Sequence, residues 1–219
     1  MYSGLCLLFW GVLFGTANAQ SDTQLWTSAG AQLRPAKGVR VEVSQQVRFD
    51  QNISSLESVL PEISASWSAR NWLRLGTGYR YTQERKKDDT FQPEHRVHLQ
   101  GSLRGEWGPV SAAGRLRLQE RAEFKADLET KRTIRWRLGA EVDTDTVFTP
   151  GLSLERFTEL KDGKPIQEKR RWTAEVEIRP SKRNSIGLFY RLQQPLEDPT
   201  DPNEHILGLE YMRRLKKRE

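Results

Sequence analysis

The segment Leu73–Glu84, LRLGTGYRYTQE, sets Leu73, Leu75, Thr77, Tyr79 and Tyr81 against Arg74, Gly76, Gly78, Arg80, Thr82 and Glu84. Strict alternation over a dozen residues describes one extended strand with two unlike environments. Soluble strands usually run to about five or six residues. About a dozen is what a tilted membrane-crossing strand needs. The pattern recurs. Val39, Val41, Val43, Val47 and Phe49 oppose Arg40, Glu42, Ser44, Gln46, Arg48 and Asp50; Ile134, Trp136, Leu138, Ala140 and Val142 oppose Arg135, Arg137, Gly139 and Glu141. Similar faces run through Gln24–Leu33, Val59–Ala69, Glu94–Arg104, Val110–Arg121, Val147–Glu159, Glu168–Arg179, Ser185–Gln193 and His205–Tyr211. The expectation is an all-β chain, an antiparallel up-and-down transmembrane β-barrel of ten to twelve strands. Eleven segments are identifiable. Single-chain bacterial barrels carry an even number, which favours twelve.

Composition agrees with a barrel and excludes a helical span. Only 36% of residues are hydrophobic, and no segment approaches the roughly 20 apolar residues of a membrane helix. A barrel escapes that requirement because only alternate residues face lipid. The net charge of +6 allows a nucleic-acid partner in principle. The basic residues alternate along strands instead of clustering on one surface, so no nucleic acid is expected. Leu5–Phe14 followed by Ala17-Asn18-Ala19 reads as a signal peptide over residues 1–19, with cleavage before Gln20. Met1–Gly4 departs from that pattern in lacking Lys and Arg. Cys6 is the only cysteine, so the exported chain would hold no thiol or disulfide. The barrel is expected over residues 20–211 and a solvated basic tail over 212–219.

From Val39 onward, short connections at Arg70, Gly105, Asp143 and Pro180 alternate with longer polar ones at Gln51, Arg85, Ala122, Lys161 and Gln194. Short periplasmic turns and longer external loops are the habit of outer-membrane barrels. Aromatic residues gather at strand ends: Trp67, Trp72, Trp107 and Phe148 near the short turns, and Tyr79, Tyr81 and Trp172 near the long loops. They are expected to form two membrane-interface girdles. A soluble periplasmic β-barrel binding protein is the competing reading. It would place the apolar face inward, and alternation alone does not separate the two.

The polar face sends Arg80, Arg96, Arg115, Arg117, Arg135 and Arg137 into the lumen, with Glu62, Glu155, Glu175 and Glu177 expected on the opposite wall. Arginine's planar fork suits bidentate carboxylate pairing. Two readings stay open at this point: a charge network that braces a plugged barrel, and a narrow pore for small charged solutes. A lipid-modifying enzyme is a further alternative. It needs a nucleophile and a base within hydrogen-bond reach. His95, His98 and His205 are the available imidazoles; His98 and Ser102 lie four residues apart on one strand face, roughly 13 Å at the strand rise, and His95 has no adjacent serine. No catalytic residue, cofactor or metal site is expected. Asp88-Asp89 and Asp198–Asp201 read as solvated charge.

The order of Gln24-Leu25-Trp26-Thr27, QQVRF at Gln45–Phe49, GYRY at Gly78–Tyr81, Glu94-His95-Arg96, RLRLQER at Arg115–Arg121, RTIRWRLGAE at Arg132–Glu141 and GLFYRLQQ at Gly187–Gln194 resembles the bacterial outer-membrane barrels of the domain of unknown function 2490 family. The resemblance spans nearly the whole mature chain. It implies a barrel in the bacterial outer membrane and no particular activity. A protein of that kind would meet the lipid bilayer, lipopolysaccharide and the barrel-assembly machinery.

Overall fold

The computed structural model describes residues 22–86, 88–124, 128–198 and 200–216; the signal-peptide segment lies outside them. Eleven strands follow one another: β1 (Asp22–Leu33), β2 (Val39–Asp50), β3 (Ser55–Ser68), β4 (Leu73–Arg85), β5 (Phe91–Trp107), β6 (Val110–Phe124), β7 (Leu128–Val142), β8 (Phe148–Lys161), β9 (Lys164–Ser181), β10 (Asn184–Pro195) and β11 (Glu204–Arg214). Each pairs with its sequence neighbour, and β1 pairs with β11, so the sheet closes into a barrel without a free edge.

Among the described residues the strand number is eleven, inside the expected ten to twelve, and not the even twelve that the habit of bacterial barrels favoured. In a meander with an odd count, the first and last strands run the same way, so closure has to be parallel. The β1–β11 ladder is parallel from Asp22↔Glu204 to Gln32↔Arg214, while the other ten ladders are antiparallel. Inside this seam Trp26, Phe189 and Ile206 form a small apolar cluster. The last strand continues through Arg214, so Met212–Arg214, which read as tail, belong to the wall. Met212 pairs with Gly30, and the Leu215 amide donates to the Gln32 carbonyl at 2.8 Å.

Sidedness follows the alternation. Leu99, Leu138, Leu152 and Trp107 are 63%, 58%, 59% and 67% exposed. The buried set is mostly polar: Gln24, Gln32, Thr82, Glu94, His98, Thr133, Glu155, Thr173 and Gln193 among others. This inverts the usual soluble arrangement, in which charged residues are almost never buried. A contiguous apolar belt of this extent on the outer surface marks a surface made for a partner or a membrane.

Two rims cap the barrel. Rim one holds the start of β1 and the connections β2–β3, β4–β5, β6–β7, β8–β9 and β10–β11. Rim two holds the other five connections and the end of β11. The segment Lys161–Gln167, read as a long polar loop at rim one, is mostly strand: β8 runs to Lys161 and β9 starts at Lys164. Cross-strand ion pairs explain it. Lys131 meets Glu159 at 2.6 Å and Arg85 meets Asp50 at 2.7 Å, which lets charged sequence stay in the ladder.

One rim-one turn is strained. Gln51, Asn52 and Ile53 have φ of 51°, 56° and 68°, and a β-branched residue is an outlier there. Replacing Ile53 by Asn is expected to stabilise the barrel by up to about 1 kcal/mol, since a left-handed L-residue costs about 1–2 kcal/mol. A higher temperature for loss of the compact, gel-shifted form would show it.

Candidate functional site

The inward faces enclose a chamber of about 380 Å³ that reaches from rim one to mid-strand. Twelve basic side chains line it against seven glutamates. The arginines come from all round the circumference: Arg48 on β2, Arg80 on β4, Arg96 on β5, Arg115 and Arg117 on β6, Arg135 and Arg137 on β7, Arg171 on β9 and Arg191 on β10. Carboxylates are interleaved among them. The expected division into a basic wall and an opposite acidic wall is therefore replaced by a belt. Glu62, for instance, ion-pairs with Arg80 on the neighbouring strand.

Glu155 is the hub. It sits 2.7 Å from Arg115, 3.0 Å from Arg135 and 3.8 Å from Arg171. β8 delivers it inward between Ser153 and Phe157, all of one parity. One carboxylate thus serves three guanidiniums. Aromatic faces take up part of the excess: Arg135 lies 4.4 Å from the Phe157 ring centre, Arg48 lies 3.8 Å from Trp26, and Arg191 lies 3.6 Å from Phe189. Such cation–π contacts favour charge where water is scarce. Amide oxygens take more of it. Arg117 donates to Gln100 Oε1 at 2.6 and 3.0 Å, and Arg48 donates to Gln46 Oε1 at 2.9 and 3.1 Å. Among the described residues, Arg48 and Arg117 have no ion-pair partner.

A relay ties the seam to this belt. Arg171 donates to Gln193, whose amide donates to Glu204 at 2.7 Å. Gln24 donates to the same carboxylate at 3.3 Å and accepts the Trp26 indole N–H at 3.0 Å. Gln24, Trp26 and Gln193 are all buried, so the relay fixes the ring that Arg48 covers.

The predicted lumen residues divide into groups. Arg115, Arg135 and Glu155 meet directly, Arg80 takes Glu62, and Arg137 takes Glu175 at 2.9 Å. Arg96 instead takes Glu94 at 2.7 Å, a partner absent from the sequence-derived set. Glu177 sits apart, 2.5 Å from Arg179. Sequence reasoning left out Arg48, Arg171, Arg191, Trp26 and Phe157. All five share the parity of the polar face, which is the signal that finds them.

Near rim one, carboxylate oxygens of Glu84, Glu94 and Glu123 lie within 4.8 Å of one another. Lys86, Arg96 and Arg121 already face this group. It carries no surplus negative charge for a cation. In the rim-one connections Asp88 and Asp198 each accept a hydroxyl and an amide from the threonine two residues on. Those bonds, the hydroxyl first, hold both carboxyls below the ordinary range. Asp89 ion-pairs with Arg85 at 2.9 Å.

On the outer surface, Trp67, Trp72, Trp107 and Phe148 lie at rim two, whereas Tyr79 and Trp172 fall at mid-strand and Tyr81 four residues from the end of β4, so these three stand well below the rim-one connections where the sequence placed them. Nδ1 of His95 is 2.6 Å from the Tyr79 hydroxyl, and Nδ1 of His205 is 2.7 Å from that of Tyr190. His98 points inward and covers Gly78, where an added Cβ would fall 2.4 Å from the imidazole.

The fold has a counterpart among solved structures. It resembles one titled "Bacterial polysaccharide outer membrane secretin", with a TM-score of 0.52 and 12% identity, over 78% of this chain and 62% of that one. The chain thus spans about three fifths of that structure's length. No curated protein matches the sequence. The family model described as "Protein of unknown function (DUF2490)" matches residues 23–203. That match takes in the strands from β1 to the connection before β11 and every arginine of the lumen belt, and the chain belongs to this family.

Proposed function

We propose that the protein is a bacterial outer-membrane β-barrel whose arginine-belted lumen binds and passes small anions. The observation that carries this reading is the pair Arg48 and Arg117, guanidiniums lining a chamber of about 380 Å³ that bond to glutamine oxygens and, among the described residues, to no carboxylate. Closely spaced like charges in a narrow, low-dielectric channel raise the local concentration of counter-ions. Arg48 and Arg117, which bond to glutamine oxygens through Nε and Nη2, offer Nη1 to a passing carboxylate, phosphate or halide. The outward apolar belt and its aromatic border at rim two support a membrane location, and the neighbour named as an outer-membrane protein supports the outer membrane in particular. Lipid bilayer, lipopolysaccharide and the assembly machinery are the partners this reading carries. The proposal is one of transport or binding, because the lumen presents guanidinium donors aimed at an anion.

A second reading rests on Glu155: a carboxylate held by three guanidiniums is also what a brace across a plugged barrel would need. Planar-bilayer recording separates the two. In a tenfold KCl gradient, the wild type is expected to give a chloride-directed reversal potential. Arg117→Gln with Arg171→Gln is expected to lower the chloride-to-potassium permeability ratio several-fold. A wild-type barrel that inserts and never conducts fits the brace and defeats the pore.

A further inference from the structure

The outward face carries a basic pair that the lumen does not use. Arg156 lies between inward Glu155 and Phe157 on β8, and Arg170 lies between Lys169 and Arg171 on β9, so both point away from the chamber. They are direct register partners, Arg156↔Arg170, with Trp136 across from Arg156 and Gln194 across from Arg170. Like charges directly opposite on adjacent strands are destabilising. Among the described residues neither has an ion-pair partner; Arg170 spends Nε on Gln194 Oε1 at 2.7 Å and keeps both terminal amino groups free of protein acceptors. An anion bridging the two guanidiniums would relieve the repulsion through charge-assisted, forked hydrogen bonds.

Below this pair, toward rim two, the outer wall is hollowed. The row Leu154↔Trp172 comes first, and then a groove of about 740 Å³ opens. Small residues Ala140, Pro150 and Ala174 form its floor, and Leu152, Leu188 and Leu207 rise at its sides. Ala174 is four residues from Arg170, roughly 13 Å along the strand. A basic pair, an aromatic row and an apolar trough in that order match a phosphorylated headgroup, its linking region and an acyl chain.

We propose that Arg156, Arg170 and this groove form a binding site for a phosphate-bearing, multiply acylated glycolipid of the surrounding membrane leaflet. The site rests on the reading that the barrel crosses a membrane, and it is independent of whether the lumen conducts. Phosphate bridges the two guanidiniums, and one acyl chain lies over Ala174.

Native mass spectrometry of the detergent-solubilised full barrel tests it, with diphosphorylated lipid A and zwitterionic phosphatidylethanolamine as probes and inorganic phosphate as competitor. The wild type is expected to retain one lipid A at least about tenfold more tightly than phosphatidylethanolamine, the scale of losing charge-assisted hydrogen bonds. Arg156→Gln with Arg170→Gln should remove that preference. Ala174→Phe, which fills the trough, should weaken retention with the arginines intact, and millimolar phosphate should fail to displace the lipid. The proposal is overturned if the double variant keeps the preference, if Ala174→Phe changes nothing, or if inorganic phosphate alone displaces the lipid. It is also overturned if Arg117→Gln with Arg171→Gln removes binding instead, because that result puts the anion in the lumen. Loss of lumen conduction leaves these outcomes unchanged. A barrel that stays in water without detergent overturns the membrane reading before any lipid is added.

Discussion

Glu155→Gln is expected to give the largest loss of stability of any single lumen substitution. The side chain is buried, and its carboxylate is shared by Arg115, Arg135 and Arg171. A glutamine keeps the size and one acceptor oxygen but strands three guanidiniums facing one another. Breaking a buried ion pair from one side costs about 3–5 kcal/mol, and a chamber open to water at rim one places this case near the low end. The loss should appear as a lower urea midpoint for the heat-modifiable barrel and a reduced refolding yield. Adding Arg135→Met to Glu155→Gln removes the guanidinium that bonds both oxygens of Glu155 and should restore part of the midpoint. That recovery is the coupling a double-mutant cycle reads. If Glu155→Gln and Arg135→Met prove additive, the hub is not a hub.

Gly208→Ala should be nearly as damaging, for a steric reason. Gly208 lies on β11 beneath the Phe189 ring, and an added Cβ would sit 1.8 Å from Cζ and 2.2 Å from each Cε. The ring has little freedom to leave, because Arg191 stacks on it at 3.6 Å and Trp26 and Ile206 complete the cluster. Overpacking of this kind costs about 1–3 kcal/mol. The site also matters more than most: Gly208 pairs with Trp26 in the parallel ladder that closes the barrel, and parallel pairing is slightly less stable per residue. Phe189→Leu should rescue Gly208→Ala while costing stability by itself. Equal urea midpoints for Gly208→Ala and the wild type would mean that the ring does not occupy this place in the folded barrel.

The wall was legible in the sequence because two-residue periodicity is written in every strand; Val43 and Leu99 face out, and Ser44 and His98 face in, as alternation requires. What alternation does not carry is who meets whom across the lumen. Arg171 and Glu155 are on adjacent strands and could be paired from register. Arg48 and Trp26 join Arg171 only because β1 closes onto β11, and closure depends on strand count. The count itself was visible as eleven segments, and the even-number habit of bacterial barrels pulled against it. Inward Trp26, Phe157 and Phe189 were obscured for a different reason: a binary pattern reads an aromatic on the polar face as noise, whereas here each one carries a guanidinium. The charged ends of β8 and β9 looked like loops because hydropathy falls there. In a barrel mouth, cross-strand ion pairs such as Lys131–Glu159 hold such segments in the sheet.

The central claim is that the inner face is a water-accessible, cation-rich lumen and the outer face is buried in lipid. Neighbouring residues on β6 offer both faces at one depth: Gln119 lines the chamber, and Leu118 is on the outer belt. In a Cys6→Ser background, single cysteines at these two positions can be modified in intact membranes with thiosulfonate reagents of opposite charge. Gln119→Cys is expected to react at least about tenfold faster with the sulfonate reagent than with the trimethylammonium one, after correction for their rates on free thiol, as a focused positive potential demands. Leu118→Cys should react with neither. Equal rates at Gln119→Cys, a preference for the cationic reagent, or ready modification of Leu118→Cys would contradict the account.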